Sequence, residues 1–353
     1  MNAFAAAVLG LALTGCQAGY YTHLLGGQYD LLSRRVPITD LLADQNTAPE
    51  LRQRLTAALD ARAFAVRVLK LPDNDSYTLY ADLDRPYAVW NVFAAPEFSL
   101  TPVEWCYGLV GCLAYRGYYE EALAREEAAR LAAQGQDVHV GGVPAYSTLG
   151  WFDDPVLNTM LHGNDDQLAG TIFHELAHQQ LFAKGDTAFN ESFASFVEEQ
   201  GLRDYLRDFP ERSRRLQAQH EQEAQFVALM IETRSRLASL YADDKPPVEM
   251  RLRKREAIAQ LRVQYAALRE QWGGDGRYDG WMMGAINNAR LLPFGLYHQW
   301  VPAFAVLFED SGGDWSRFYQ AVEALSDLEP VAREQGLKAL TARSSPPQGG
   351  RRH

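Results

Sequence analysis

Positive charge and cysteine are both scarce in this chain. Its 353 residues include 34 lysines and arginines against 45 aspartates and glutamates, which gives a formal net charge of -11, and only three cysteines. Because a nucleic-acid backbone repels a protein of this charge, nucleic acid is excluded as an expected partner. The hydrophobic fraction of 47% is that of a globular protein with a sizeable core.

The first cysteine, Cys16, follows an apolar stretch that contains no Lys or Arg. Residues 1–15 are too short to span a membrane as a mature helix and suit a signal peptide. Residues 13–16 (LTGC) resemble the bacterial lipobox, and Gln17 rather than Asp follows the cysteine. We therefore expect removal of the signal peptide, lipidation of Cys16, and a membrane anchor, in the outer membrane facing the periplasm. The alternative is a signal or buried helix with an incidental cysteine.

The other two cysteines, Cys106 and Cys112, are separated by a short loop. In an oxidising compartment such as the periplasm they can form a disulfide. Two buried free thiols are the alternative, and the sequence does not decide between these states.

Helical and β-type patterns divide the rest of the chain. Residues 16–75 form a helical N-terminal segment, whereas β-forming residues dominate residues 76–100. A short helix is expected over residues 118–133, stopped by Gly135, and a strand pair or edge strand over residues 138–149. The second half is mainly helical. The chain is therefore expected to adopt an α+β, mainly helical fold with a small mixed part near its N-terminus.

The longest regular feature covers residues 211–272. Apolar residues recur there at three- and four-residue spacing on both sides of residues 243–247 (DDKPP). Two long helices joined by a tight proline turn form an antiparallel hairpin. It serves either as a partner-binding arm or, the simpler interpretation, as a buttress for the rest of a domain spanning residues 76–343. The tail, residues 344–353, is predicted to be disordered.

Residues 174–178 read His-Glu-Leu-Ala-His, in a helical segment with Asp165 as its expected N-cap. Residues four apart lie on one face of a helix, so His174 and His178 can hold one Zn²⁺. Glu175 then lies beside the open coordination position. Two ordinary surface histidines are the alternative, because the pentapeptide alone is a good signal and not proof.

A second short helix is expected over residues 189–198, ending at Gly201. It carries Glu191. A glutamate on a following helix is the third ligand in one class of zinc peptidases, where two imidazoles, one carboxylate and one water surround the metal. Glu191 is therefore the candidate third ligand.

Residues 190–194 (NESFA) resemble the Asn-Glu-x-x-Ala helix of thermolysin-like and one-zinc aminopeptidase gluzincins. The resemblance implies that Glu191 binds the metal and that Glu198 orients a ligand histidine. Ser195 stands where thermolysin has an acid, so this second role passes to Glu198; a solvated helix acid is the alternative. Twelve residues separate His178 from Glu191, fewer than in those families, which shortens the connecting loop.

More of the chain resembles a narrower family, the bacterial putative aminopeptidase lipoproteins. The shared segments are the lipobox, residues 89–92 (VWNV), 105–106 (WC), 111–112 (GC), 115–118 (YRGY), 145–151 (AYSTLGW), the zinc helices, and residues 287–298. This resemblance implies a zincin-like core, a gluzincin-type hydrolase with one Zn²⁺ per chain, and aminopeptidase action on peptides. The spacing of the motifs alone does not show exopeptidase action.

Further residues are weaker candidates for the site. Gluzincins supply a Tyr or His from beyond the third ligand to the developing oxyanion, which makes Tyr297 and His298 the best candidates here. A core tyrosine is the alternative. Tyr146, Ser147 and Thr148 precede the zinc helix, where zincins present an edge strand that pairs with the substrate.

Four aspartates can be considered as partners for a free amino terminus, and the sequence does not choose among them. They are Asp153, Asp154, Asp165 and Asp166. For any single one, a loop or cap aspartate facing water is the simpler interpretation.

Together these observations predict zinc-dependent hydrolysis of peptide bonds, with Glu175 as the general base. An envelope endopeptidase is one alternative to the aminopeptidase. An inactive zinc-bearing envelope binding protein is another, although a pure binding module has no need of Glu175.

Overall fold

The computed structural model describes residues 19–107, 111–145 and 148–344, and of residues 295–297 the backbone only. The sequence-based predictions outside this description concern residues 1–16, Tyr146, Ser147, the side chain of Tyr297, and residues 345–353.

Helices form most of the described chain. They are α1 (residues 19–33), α2 (Ile38–Ala43), α3 (Pro49–Arg67), α4 (Glu121–Ala133), α5 (Asp165–Gln180), α6 (Thr187–Tyr205), α7 (Pro210–Tyr241), α8 (Pro247–Gln271), α9 (Asp279–Met283), α10 (Asn288–Tyr297), α11 (Val301–Asp310), α12 (Trp315–Ser326) and α13 (Pro330–Ser344). A short 3-10 helix (Asn158–His162) precedes α5.

The strands are short and form small sheets. They are β1 (Val36–Pro37), β2 (Leu79–Ala81), β3 (Val89–Pro96), β4 (Trp105–Tyr107), β5 (Gly111–Leu113), β6 (Arg116–Tyr118), β7 (Gln136–Val143) and β8 (Val156–Leu157). The sheet orders are β1-β2-β8, β6-β3-β7 and β4-β5. The predicted α+β, mainly helical fold class is confirmed.

The β6-β3-β7 sheet is antiparallel, and β3 is its central strand. α4 covers one face with three buried side chains, those of Ala124, Ala128 and Leu131. Strand β7 ends at Val143, so the strand predicted over residues 138–149 is wrong for residues 144–145 and 148–149. Thr148 lies in a turn, because its backbone N–H donates to Asp154 Oδ2 at 3.0 Å.

One large hydrophobic core joins the first helices to the rest of the chain. Small side chains on α3, among them Ala58, Ala61 and Ala65, are fully buried and let this helix approach α5 closely. Phe173 from α5 and Phe193 from α6 are buried in the same cluster. The described part of the N-terminal segment, residues 19–75, therefore supports the helix that carries the His-Glu-Leu-Ala-His motif.

Two predicted helix boundaries on α5 and α6 are wrong. The N-cap of α5 is Asn164 rather than Asp165, because Asn164 Oδ1 accepts from Gln167 N and Gln167 Oε1 accepts in return from Asn164 N. Helix α6 does not stop at Gly201 but runs through it. A Cβ atom there would lie 2.8 Å from Leu69 Cδ1 and 3.0 Å from Phe173 Cδ2. Gly201 thus permits close packing rather than ending the helix.

Helices α7 and α8 pack against each other as a hairpin. Their antiparallel direction is evident from Trp272, just after α8, whose Nε1 donates to Gln225 Oε1 in the middle of α7 at 2.6 Å. The hairpin also binds the body of the protein, since Lys254 donates to Asp137 Oδ2 at 2.5 Å and Arg251 pairs with Glu97 at 2.6 Å. These contacts favour the buttress over the free arm.

Two further features bear on the surroundings of the chain. Cys106 and Cys112 face each other in the β4–β5 ladder and are joined by a disulfide. Within residues 19–107, 111–145 and 148–344, no helix combines the length and apolar character needed to cross a bilayer.

Candidate metal centre

Helix α5 brings the two histidines of the motif together. Its capping box at Asn164 fixes the start of the helix, and the helical period then places His174 and His178 on one face. Their ring centroids lie 4.9 Å apart, and both side chains are largely buried. Two imidazoles at this separation can bind one ion.

The connection to α6 is held by a single asparagine. Asn190 Nδ2 donates to Ala183 O, and Asn190 Oδ1 accepts from Ala183 N, both at 2.8 Å. Asp186 caps α6 by accepting from Phe189 N and pairs with Arg333 at 3.2 Å. The short loop over residues 181–186 is thereby tied to the first turn of α6, which directs the next residue, Glu191, at the histidines.

Glu191 lies between the two imidazoles. Its Oε2 is 3.5 Å from His174 Nε2 and 3.6 Å from His178 Nε2. Three ligand atoms of this set lie within 4.8 Å of one another. Ligands held at about 2.0–2.1 Å from a tetrahedral Zn²⁺ are about 3.3 Å apart, so these separations fit a common ion better than direct hydrogen bonds. The residues therefore fit a metal site of two imidazoles and one carboxylate.

The charges of this set are mutually dependent. Burial tends to raise the pKa of Glu191, but the neighbouring His178 and His174 lower it to about 2. Burial tends to lower the pKa of His174, yet the neighbouring carboxylates of Glu191 and Glu198 raise it well above its ordinary value. The carboxylates and the imidazoles thus each favour the charged form of the other.

Glu198 lies two turns after Glu191 on α6. Its Oε2 is 3.1 Å from His174 Nδ1. A carboxylate in this position accepts the ring N–H of a ligand histidine, fixes its tautomer and raises the basicity of the other nitrogen. This is the geometry that the sequence resemblance implies for Glu198.

Glu175 follows His174 on the same helix and is 8% exposed. Burial raises its pKa, while His174 and His178 act in the opposite direction. Its side chain borders the same cavity as both histidines and Glu191. A buried carboxyl group beside a metal set is suited to proton transfer.

The cavity next to the candidate metal centre measures about 690 Å³. Its wall is formed by α1, β3, the strands β4 to β6, the end of β7, and α5 with α6. Among the described residues, six tyrosines line it: Tyr20, Tyr21, Tyr107, Tyr115, Tyr118 and Tyr119. A cavity of this size and lining can accommodate several residues of a peptide.

Tyr115 was not predicted as a site residue. It lines the cavity with the metal set, packs on Phe93 with ring centroids 5.6 Å apart, and has its pKa raised by burial and by the charges of Glu191 and Glu175. Its segment, residues 115–118, was one of those shared with the family. The resemblance of residues 115–118 to the family was the one sequence feature that could have pointed to Tyr115. The neighbouring residues in the sequence did not indicate its role.

The structure describes the side chains of two of the remaining candidates, His298 and Thr148. Burial lowers the pKa of His298, which follows α10. The charge of Glu198 acts in the opposite direction, and that of His174 lowers the pKa further. The side chain of Tyr297 and the residues Tyr146 and Ser147 lie outside the description. Thr148 is not part of a described strand; its N–H donates to Asp154 and its hydroxyl is bonded to the backbone of Phe152.

None of the four candidate aspartates is among the described residues that line the cavity. Asp165 and Asp166 lie in the first turn of α5 and pair with Arg54 and Arg212, respectively. Asp153 is exposed. Asp165 and Asp166 are therefore paired with arginines, and Asp153 faces solvent.

Asp154 is the one buried member of the four. Its Oδ2 accepts from Thr148 N and from Gln179 Nε2, at 3.0 and 3.2 Å. Its charge raises the pKa of Glu175. Asp154 therefore ties the turn after β7 to α5, one residue beyond His178.

Comparison with known proteins gives one match. Residues 19–337 match the model of a family described as putative aminopeptidase. No curated protein and no solved structure gives a match.

We predict that Glu198→Ala lowers the affinity for Zn²⁺ by about 10- to 100-fold, because His174 then loses the acceptor that orients its ring. The measurement is competition with a chromogenic chelator. Glu199→Ala is the matched control, since the neighbouring Glu199 is on the same helix and pairs with Arg203 instead. Equal affinities of the two variants would contradict the assigned role of Glu198.

Proposed function

This chain belongs to the putative aminopeptidase family, and from that premise we propose that it is a zinc-dependent peptidase of the gluzincin type with a zincin-like core. The observation that carries the proposal is the position of Glu191 Oε2, 3.5 and 3.6 Å from the two imidazole nitrogens. Beside it lie a buried carboxyl group, Glu175, and a cavity of peptide size. His174, His178 and Glu191 would hold one Zn²⁺ per chain.

A bound Zn²⁺ would lower the pKa of a water molecule and polarise the scissile carbonyl group. Glu175 accepts the proton of the attacking water and delivers it to the leaving amine. Its burial raises its pKa, which brings the group closer to the range where both transfers are easy. Glu198 holds the ring of His174 in place throughout.

The developing oxyanion needs a donor in addition to the metal. Tyr297 and His298 remain the candidates given by the resemblance. Tyr115 is a further candidate, because it lines the cavity next to Glu175 and Glu191. Its raised pKa keeps the phenol protonated, as a hydrogen-bond donor must be.

Aminopeptidase action is the first candidate, because the family carries that description. Endopeptidase action is the second, and a specific observation favours it. The only carboxylates among the described residues of the cavity wall are Glu175 and Glu191, and both have roles in the reaction. A free ammonium group would therefore lack a dedicated carboxylate partner, which an aminopeptidase needs.

We also propose that the protein is anchored by lipidated Cys16 in the bacterial cell envelope, on the outer membrane facing the periplasm. Its membrane partner would be the bilayer that holds the lipid, and its other partner the peptide substrate. The disulfide between Cys106 and Cys112 supports an oxidising compartment.

We expect Glu175→Gln to lower kcat by on the order of a hundred-fold or more, because the amide keeps the volume of the side chain but cannot accept a proton. Zinc content should stay at one per chain. Glu191→Ala is the contrasting variant, in which zinc and activity are lost together. Wild-type turnover by a zinc-loaded Glu175→Gln protein would refute the mechanism. A zinc-loaded wild type without peptidase activity would instead favour the inactive binding protein.

Matched peptides separate the two modes of cleavage. Each internally quenched peptide is prepared with a free and with an acetylated amino terminus, and the products are identified by mass spectrometry. Aminopeptidase action predicts loss of single N-terminal residues from the free form and at least about 100-fold slower cleavage of the acetylated form. Internal cleavage at equal rates in both forms would establish the endopeptidase.

Cys16→Ala should abolish incorporation of labelled fatty acid and release the protein from the membrane fraction, because a lipid chain is the anchor in this proposal. The lipid label reports the modification directly, and fractionation reports its consequence. A variant that stays in the membrane fraction, or a wild type without label, would contradict the lipobox interpretation.

A further inference from the structure

The wall of the cavity is mainly aromatic and aliphatic. Besides the six tyrosines, the described lining includes leucine, valine and phenylalanine side chains from four elements and two loops, namely Leu24, Val89, Leu113, Val143, Leu149 and Phe182. Apolar side chains brought together from such distant parts of the chain, and left facing an open space, are suited to bind apolar surface of a ligand.

The hydroxyl groups of the wall are partly used within the protein. Tyr20 donates to Gly117 O at 3.0 Å and lies 3.3 Å from the hydroxyl of Tyr107. Tyr119 donates to Gln28 Oε1 at 2.6 Å. These tyrosines therefore present mainly the surface of their rings to the cavity, rather than hydrogen-bonding groups.

The charged side chain of Arg116, close to the wall, contacts other residues of the protein. The guanidinium of Arg116 stacks on the ring of Tyr20 at 3.8 Å and pairs with Glu127. In the described lining the charged or ionisable groups other than tyrosine are His174, Glu175, His178 and Glu191, which form the candidate metal centre. A charged substrate side chain would thus lose its hydration without gaining a partner.

From this wall we infer that the cavity binds a peptide through a large apolar side chain, Leu, Phe or Tyr, next to the scissile bond, and rejects Lys, Arg, Asp and Glu at that position. The inference rests on the proposed function, since it names the substrate class of the same site. Burial of a large apolar side chain against aromatic rings favours binding, whereas an unpaired charge opposes it.

The first test uses the wild-type zinc enzyme and internally quenched peptides. Each peptide carries one varied residue, Leu, Phe, Lys or Glu, in a background of Gly and Ser, and is offered with free and acetylated amino termini. We expect kcat/KM for Leu and Phe to exceed that for Lys and Glu by about 100-fold. Equal rates, or faster cleavage beside Lys or Glu, would overturn the inference. Failure to cleave any peptide would refute the proposed peptidase function itself.

The second test places a charge on the wall at Leu113. This residue lines the cavity and lies outside the four hydrophobic core clusters, so its substitution should preserve the fold. Leu113→Glu should raise kcat/KM for the Lys peptide about 10-fold relative to Leu113→Gln, which has the same shape without the charge. Both variants should lose part of the preference for Leu.

The control for the second test is Leu252→Glu, on the exposed side of α8 at 47% exposure. It adds the same charge to the protein but not to the cavity, so the ratio of Lys to Leu cleavage should stay at the wild-type value. An unchanged ratio in a folded Leu113→Glu protein, checked by its melting temperature, would show that the substrate side chain does not contact this wall.

Discussion

The pairing of one buried carboxylate with two imidazoles is the interaction on which the rest of the site depends. Glu191 is 7% exposed, and the free energy needed to bury its charge is offset only by a cation or by protonated histidine beside it. The backbone must therefore hold three side chains from two helices in one place. The paired hydrogen bonds of Asn190 to Ala183 meet this constraint, because they fix the loop directly before Glu191.

The cavity next to the metal set also affects the charges of Glu191, the two histidines and Glu175. A wall of aromatic rings keeps the local dielectric constant low, which strengthens the attraction between Glu191 and the histidines and raises the pKa of Glu175. The apolar wall and the carboxyl group of Glu175 are thus linked physically. A substrate that fills the cavity with apolar surface would exclude further water and extend this effect to the reacting atoms.

Sequence reasoning succeeded where the information is local. His174, Glu175 and His178 follow from the helical period, and Glu191 lies on the next helix, so nearby residues were enough to bring the metal set together. The wall of the cavity could not be predicted in this way, because Tyr20 and Tyr115 reach it only through tertiary packing. The prediction that the helix ends at Gly201 failed for a related reason. Its role depends on the distant Leu69, and a glycine that permits close packing has the same appearance in sequence as one that ends a helix.

The disulfide belongs to the wall of the cavity rather than to the metal set. Cys106 and Cys112 each precede a residue that lines the cavity, Tyr107 and Leu113. Strand β5 also contacts the loop between α5 and α6, since its Gly111 has φ +85° and a Cβ there would lie 2.9 Å from the backbone of Gly185. Only glycine meets both demands without displacement. The covalent bond therefore constrains the wall and its contact with the 181–186 loop, while the packing of α5 against α6 brings His174, His178 and Glu191 together.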